Sequence, residues 1–261
     1  MATSTTVTVM TAPPPPPPTA GPILHFTFDQ SSISGTTVAN DGSGNFTGTA
    51  YNNPTIVAGR IGEALSLNGV NQYIKVNSFS SSNLTQGGTI GFWLYYPASV
   101  SGKQFIDSVL SGNFPAIRLF NTNGKMRFQV DDSTGGNPYA FDKISNSTIP
   151  LNTWVHYALS FSPSGVTLYK DGVPDGTMLG SASSIAQPAN FVIGANIFGS
   201  GQINGLIDDL RVYDRILSAS EIQELYNGTL ASALTSANIA SPSVAGTSFW
   251  QKIISFFSSL F

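Results

Sequence analysis

Apolar and polar residues alternate with period two over many short stretches of this chain. Leu24, Phe26 and Phe28 interleave with His25, Thr27 and Asp29. That is the pattern of a half-buried strand, because successive strand side chains point to opposite faces. The same alternation predicts strands over 63–67, 72–77, 88–96, 104–110, 115–121, 124–131, 153–161, 165–170, 190–195 and 203–213. Asn123-Gly124 and Asp171-Gly172 stand between such runs, and both pairs tolerate the positive φ angles of a two-residue hairpin turn. One helix is expected late in the chain. Ser218 and Glu221 have the spacing of a capping box, Ile222, Leu225 and Tyr226 form an inward face, and Gly228 ends the turn. Many short strands with one late helix predict an antiparallel sandwich. In the 153–161 run, Val155, Tyr157, Leu159 and Phe161 share one face, opposite Trp154, His156 and Ala158. Trp93 and Trp154 are expected to pack inside the sandwich, where large aromatics dominate.

The pattern breaks at both ends. Residues 1–22 read as an N-terminal arm and linker, whose Pro13 to Pro18 run forms a polyproline II rod. At about 3.1 Å per residue it spans roughly 19 Å, as a stiff spacer or as a docking peptide for an aromatic groove. Residues 23–228 make the globular domain, and 229–247, rich in Ala, Ser and Thr, a second linker. In 248–261 the apolar residues recur at helical spacing: Phe249, Trp250, Ile253, Phe256, Phe257 and Leu260 form a stripe with Lys252 as its only charge. This amphipathic helix is too short to cross a bilayer, which needs about 20 residues. Its apolar face calls for a docking partner, or for peripheral membrane contact.

Composition narrows the function classes. Only 10% of residues are charged, and the net charge is −3 with no Lys/Arg cluster. The phosphate-neutralising patch of a nucleic-acid binder is therefore missing. There is no Cys, which excludes disulfide scaffolds, thiol catalysis and Cys-based zinc sites. The N-terminus lacks the basic and apolar regions of a secretory signal, and no transmembrane span is predicted.

Four segments carry a family resemblance. They are Asp41-Gly42-Ser43-Gly44-Asn45, Gly59 to Ile74, Leu151 to Leu159 with Leu168-Tyr169-Lys170-Asp171-Gly172, and Ile207 to Tyr226. In this order and spacing the chain from about Ile23 to Gly228 resembles the LamG-like (laminin G type 3) domains of the concanavalin A-like lectin/glucanase superfamily. One departure is the turn at Asn68, Asn71 and Gln72, where the family often carries carboxylates. The resemblance implies an all-β, concanavalin A-like jelly-roll sandwich of two antiparallel sheets.

The resemblance also favours a structural calcium that ties the first loop to the last strand. Asp41 and Asn45 would offer side-chain oxygens beside the carbonyls of a glycine turn, and Asp208 or Asp209 a carboxylate. Adjacent strand residues are expected to face opposite ways, so only one of that pair should reach the ion. The competing reading is Asp–Arg pairing through Arg211 or Arg215.

No catalytic residue is assigned. The three glutamates, Glu63, Glu221 and Glu224, do not alternate along a strand as a hydrolase carboxylate pair requires. The chain thus reads as a non-enzymatic, surface-displayed recognition module that binds glycan or protein, with Tyr139, Asn196 and Phe198 as candidate contacts. Its expected location is extracellular or cell-surface, as a module of a larger protein. The alternative is a structural or decorating part of a virion or surface layer, docked through both tails. A glycan hydrolase ranks third.

Overall fold

The structure is a computed structural model that describes residues 21–79, 82–109, 115–132 and 139–230. The polyproline run and the Phe249–Leu260 stripe lie outside the described residues. Seventeen strands are present among the described residues. They begin with β1 (Leu24–Phe26), β2 (Ile33–Ser34), β3 (Thr37–Val38), β4 (Gly48–Tyr51), β5 (Thr55–Ala58), β6 (Glu63–Asn68), β7 (Tyr73–Asn77) and β8 (Gly88–Tyr95). There follow β9 (Gln104–Val109), β10 (Pro115–Thr122), β11 (Lys125–Val130), β12 (Phe141–Thr148), β13 (Trp154–Ser162), β14 (Gly165–Lys170), β15 (Val173–Leu179), β16 (Asn190–Ile193) and β17 (Asn204–Tyr213). The helix α1 (Ala219–Asn227) comes last.

Two antiparallel sheets divide these strands. The eight-stranded sheet runs β15-β14-β13-β8-β17-β6-β5, with β1 also paired to β17, and the nine-stranded sheet runs β12-β11-β10-β9-β16-β7-β4-β3-β2. Their inner faces share one apolar core, to which the eight-stranded sheet gives Phe92, Val155, Tyr157, Leu159 and Ile207, and the nine-stranded sheet Ile74, Ile106, Leu119, Phe128 and Phe191. The sandwich expected from the alternation is therefore present, with the predicted inner face of the 153–161 run.

Local signals also hold. Asn123 and Gly124 turn β10 into β11 with φ of 51° and 81°, and Asp171 and Gly172 do the same between β14 and β15 at 50° and 78°. Both central residues carry positive φ, as a tightly twisted hairpin requires. At α1 the Ser218 hydroxyl accepts from the Glu221 N–H, while Glu221 returns to the Ser218 N–H at 2.8 Å. Gly228 closes the helix in the left-handed region.

Four expectations fail or fall short. Trp93 lies on the outer face of the eight-stranded sheet, because Phe92 and Leu94 on either side of it take the inner face. It is covered there by His156 and Tyr226 at centroid distances of 5.2 and 5.6 Å. Trp154 is half-buried on the same outer face, 5.8 Å from Tyr95. Six strands, β2 to β5, β12 and β15, do not show the alternation: most carry few apolar residues, or a Gly or Pro, and β5 sets Ile56, Val57 and Ala58 side by side. Finally, Asp208 and Asp209 do not face opposite ways. β17 has a bulge between its Asp208↔Trp93 and Arg211↔Gly91 pairs, and Asp209 sits in it with φ of 48°. The extra residue keeps Ile207 and Leu210 in the core and leaves both carboxylates on the outer side.

Candidate functional site

The two outer faces carry most of the buried polar chemistry. On the eight-stranded sheet the groups close on one another. Asp208 Oδ2 accepts the backbone N–H groups of Arg60 and Ile61, both at 2.8 Å. Asp209 Oδ1 lies 2.7 Å from His25 Nε2 and 3.0 Å from Arg211 Nη2. A carboxylate only accepts, so the His25 ring carries its proton on Nε2. Burial pushes Asp209 upward, yet the His25 bond and the Arg211 charge together hold it below the usual carboxylate range. Asp208 is pushed up to about 6 by burial, against the two backbone donors. His156, packed between Trp93 and Tyr226, is driven down to about 4 by burial. Arg60 lies over the Trp93 ring at 4.7 Å, and Ile222 and Leu225 of α1 seal part of this face.

That arrangement bears on the calcium expectation. The Asp41–Asn45 loop runs along the free edge of β1: Asp41 N–H donates to the His25 carbonyl, and the Asn40 side chain ties His25 to Gly44. β17 lies on the other edge of β1. Between loop and last strand stands His25, whose ring takes the Asp209 carboxylate. Asp41 and Asn45 are exposed. Among the described residues no group of three or more His, Asp or Glu side chains is placed to hold a metal ion. Asp209 has the pairing with Arg211 that the competing reading expects, together with His25.

The outer face of the nine-stranded sheet is different. Ladder registers set a row of outward residues across it: Asp142, Gln129, Arg118, Asp107, Val192, Lys75 and Thr49. A second row holds Ile144, Arg127, Phe120 and Gln104. Arg127 makes a two-point ion pair with Asp142, which holds Asp142 below the ordinary range. Arg118 and Arg127 lie 5.3 and 5.6 Å over the half-buried Phe120 ring. A stacked pair, Tyr51 and Tyr73 at 4.5 Å, continues the face toward β4.

Asp107 is its centre. Only 3% of its side chain is exposed, and burial pushes it up to about 6 against the Arg118 charge. Its Oδ2 accepts the Ile197 N–H at 3.0 Å. That bond fastens the 196–200 turn, in which Asn196 Oδ1 accepts the N–H groups of Phe198 and Ser200. Phe198 projects from this turn, 72% exposed. On the other side, Arg118 Nη1 donates to the Tyr139 hydroxyl at 3.2 Å. The three candidate contacts read from the sequence thus gather around one ion pair. Sequence reasoning missed Gln104, Asp107, Arg118, Phe120, Gln129 and Asp142. A polar residue alternating with core residues on β9 to β12 was the available signal, but it does not separate an outer face that holds a ligand from one that meets water.

Satisfaction of polar groups separates the two faces further. Four buried polar atoms on the nine-stranded face lack a hydrogen-bond partner, Gln104 Oε1, Asp107 Oδ1, Arg118 Nε and Gln129 Oε1, against two on the eight-stranded face, His156 Nδ1 and Asp208 Oδ1. Arg118 Nε and Asp107 Oδ1 are 3.3 Å apart but too poorly aligned to bond. Native proteins rarely leave such atoms orphaned without a role.

A family model described as "Concanavalin A-like lectin/glucanases superfamily", laminin G type 3, matches residues 68–223. A relative, the adhesion G-protein coupled receptor V1 of Danio rerio, is 25% identical over 146 residues, which is 53% of this chain and 2% of the receptor. The chain therefore spans a small fraction of that relative. Domain 4 of AbnA, a GH43 extracellular arabinanase from Geobacillus stearothermophilus, solved with arabinotriose, superposes with a TM-score of 0.60 at 20% identity over 79% of this chain and 98% of that one. The binding domain of botulinum neurotoxin DC, solved with rat synaptotagmin II, gives 0.61 at 14% identity over 80% and 52%. At these identities the structures establish the fold alone. With the family match covering more than half of its length, the chain belongs to the laminin G type 3 family of the concanavalin A-like lectin/glucanase superfamily.

Proposed function

We propose that this domain is a non-catalytic recognition module that holds a glycan on the outer face of its nine-stranded sheet. One observation carries the reading: the four orphaned polar atoms lie around the half-buried Phe120 ring. A glycan presents hydroxyls at its edge and an apolar ring face, which match hydrogen-bonding groups beside an aromatic. Glycan or protein partners fit the company this fold keeps, since one neighbour was solved with arabinotriose and another with a synaptotagmin. Display outside the cell fits an extracellular arabinanase and a receptor among those neighbours.

Turnover fits poorly. Asp107 and Asp142 stand on β9 and β12, three ladder steps apart, or about 14 Å. Glycoside hydrolases place their carboxyl pair about 5–9.5 Å apart. Each of these two aspartates is also held by its own arginine.

The test is a glycan microarray probed with the whole chain. Phe120→Ala should abolish the signal, and Ile61→Ser, on an exposed turn of the other sheet, should preserve it. An array on which wild type and Phe120→Ala give the same pattern would refute the reading.

A further inference from the structure

The chemistry of the orphaned atoms narrows the ligand. We infer that this face selects a neutral, hydroxyl-rich glycan and rejects ones carrying carboxylate, sulfate or phosphate; the inference rests on the glycan reading above.

Three of the four orphaned atoms are acceptors. Their identity is fixed by their neighbours. Gln129 Nε2 donates to the Asp142 carboxylate at 3.1 Å, and that group only accepts, so the free atom is the oxygen. Gln104 Nε2 points to the Gly102 carbonyl at 3.4 Å, which fixes its oxygen in the same way. The third acceptor is Asp107 Oδ1, beside the single orphaned donor, Arg118 Nε. A ligand that satisfies this set must give protons to three oxygens and accept one. A sugar hydroxyl does both, and a single hydroxyl placed at the misaligned Arg118–Asp107 contact would accept from Nε and donate to Oδ1. An anionic oxygen only accepts. It would satisfy one atom of the four and leave three unpaired.

Charge points the same way. The face displays two guanidinium groups, but both are already committed. Arg127 is paired at two points with Asp142, and Arg118 stands over Asp107 and donates to Tyr139. An acidic group entering between them meets two carboxylates as well as two cations, and gains little net attraction for its lost hydration. Specificity of this kind comes from polar groups that the wrong ligand leaves unpaired. The Arg118 side chain is 23% exposed and lies against the buried Asp107 Oδ1, so its head is the part that must shift to admit a hydroxyl there.

The test compares matched probes on the whole chain by titration calorimetry: arabinan against polygalacturonate, and lactose against sialyllactose. The neutral member of at least one pair should bind, with its acidic counterpart at least about tenfold weaker, the size expected for one lost charge-assisted hydrogen bond. Gln129→Leu should weaken the neutral ligand by a similar factor without creating affinity for the acidic one. Asp107→Asn should lower the discrimination between the pair, and Gln129→Leu alone suffices if that variant does not fold. Acidic probes that bind more tightly, in a manner sensitive to Gln129→Leu, would overturn this inference and leave the glycan reading standing. No binding to either class would remove both.

Discussion

The two sheets turn very different outer faces away from their common core. On the eight-stranded sheet, His25, Asp209 and Arg211 pair with one another, Asp208 takes two backbone donors, and α1 lays Ile222, Leu225 and Tyr226 over the rest. On the nine-stranded sheet, ion pairs of the same kind are set in a row with no helix above them among the described residues, and four polar atoms stay unpaired, against two on the other face. Burying a polar group without a partner costs about 1–3 kcal/mol. Four such atoms on one face against two on the other mark the nine-stranded sheet as the better candidate for a contact surface.

The strongest way to break this comparison is to cut the clasp. Asp209→Ala leaves Arg211 and His25 without their carboxylate. Removing one partner of a buried pair costs about 3–5 kcal/mol, and for a domain of this size that lowers Tm by roughly 6–20 °C. Thermal unfolding should show the same loss in calcium and in chelator, because protein groups fill the place. A loss confined to calcium would favour the ion, and a stabilisation of wild type by calcium that Asp41→Ala abolishes would do so more directly.

Titration gives the next largest effect, with opposite signs for His156 and Asp107. His156 is held near 4, below the 6.5 of an unfolded imidazole. Between those values the unfolded chain binds the extra proton, so this residue makes stability fall as pH drops from 6.5 toward 4. Asp107 is held near 6, above 3.8. Here the folded chain keeps the extra proton, and stability falls as pH rises from about 4 through 6. Each full difference is worth about 3 kcal/mol. In denaturant titrations the cost of His156→Gln should shrink between pH 7 and pH 4.5. Asp107→Asn, relative to wild type, should fare better at pH 7 than at pH 4.5. Curves that run parallel to wild type would show that neither group is buried as described.

Binding should follow the open face alone. Phe120→Ala should weaken a bound glycan by about tenfold or more, in the range of an aromatic contact worth 1–3 kcal/mol, with little change in Tm. The smallest effect belongs to the cap of α1: Ser218→Ala should cost about 1 kcal/mol and leave glycan binding untouched. Loss of binding in that variant would mean that the two faces communicate.

Much of the architecture was legible along the chain. Period-two alternation located the strands with clean apolar faces, such as β8, β13 and β14. Asn123-Gly124 and Asp171-Gly172 marked the β10–β11 and β14–β15 hairpins, and Ser218 with Glu221 marked the helix start. These signals are local, so neighbours in sequence carry them. β12, with Phe141 and Ile144 as its only large apolar residues, and β15, interrupted by Pro174 and Gly176, gave no such signal and are strands because their neighbours pair with them.

The site needed the assembled sheets. Tyr139, Asn196 and Phe198 stood out along the chain, but the Asp107–Arg118 pair that gathers them joins β9 to β10 and takes its turn from beyond β16. The bulge at Asp209 reversed the expected facing of two carboxylates, and no residue pattern announces a bulge closed by a histidine 184 positions away. Sequence determined which residues alternate, turn and cap, since those preferences act within a few peptide units. Tertiary structure decided which polar groups found partners, since that depends on strands brought together from distant parts of the chain.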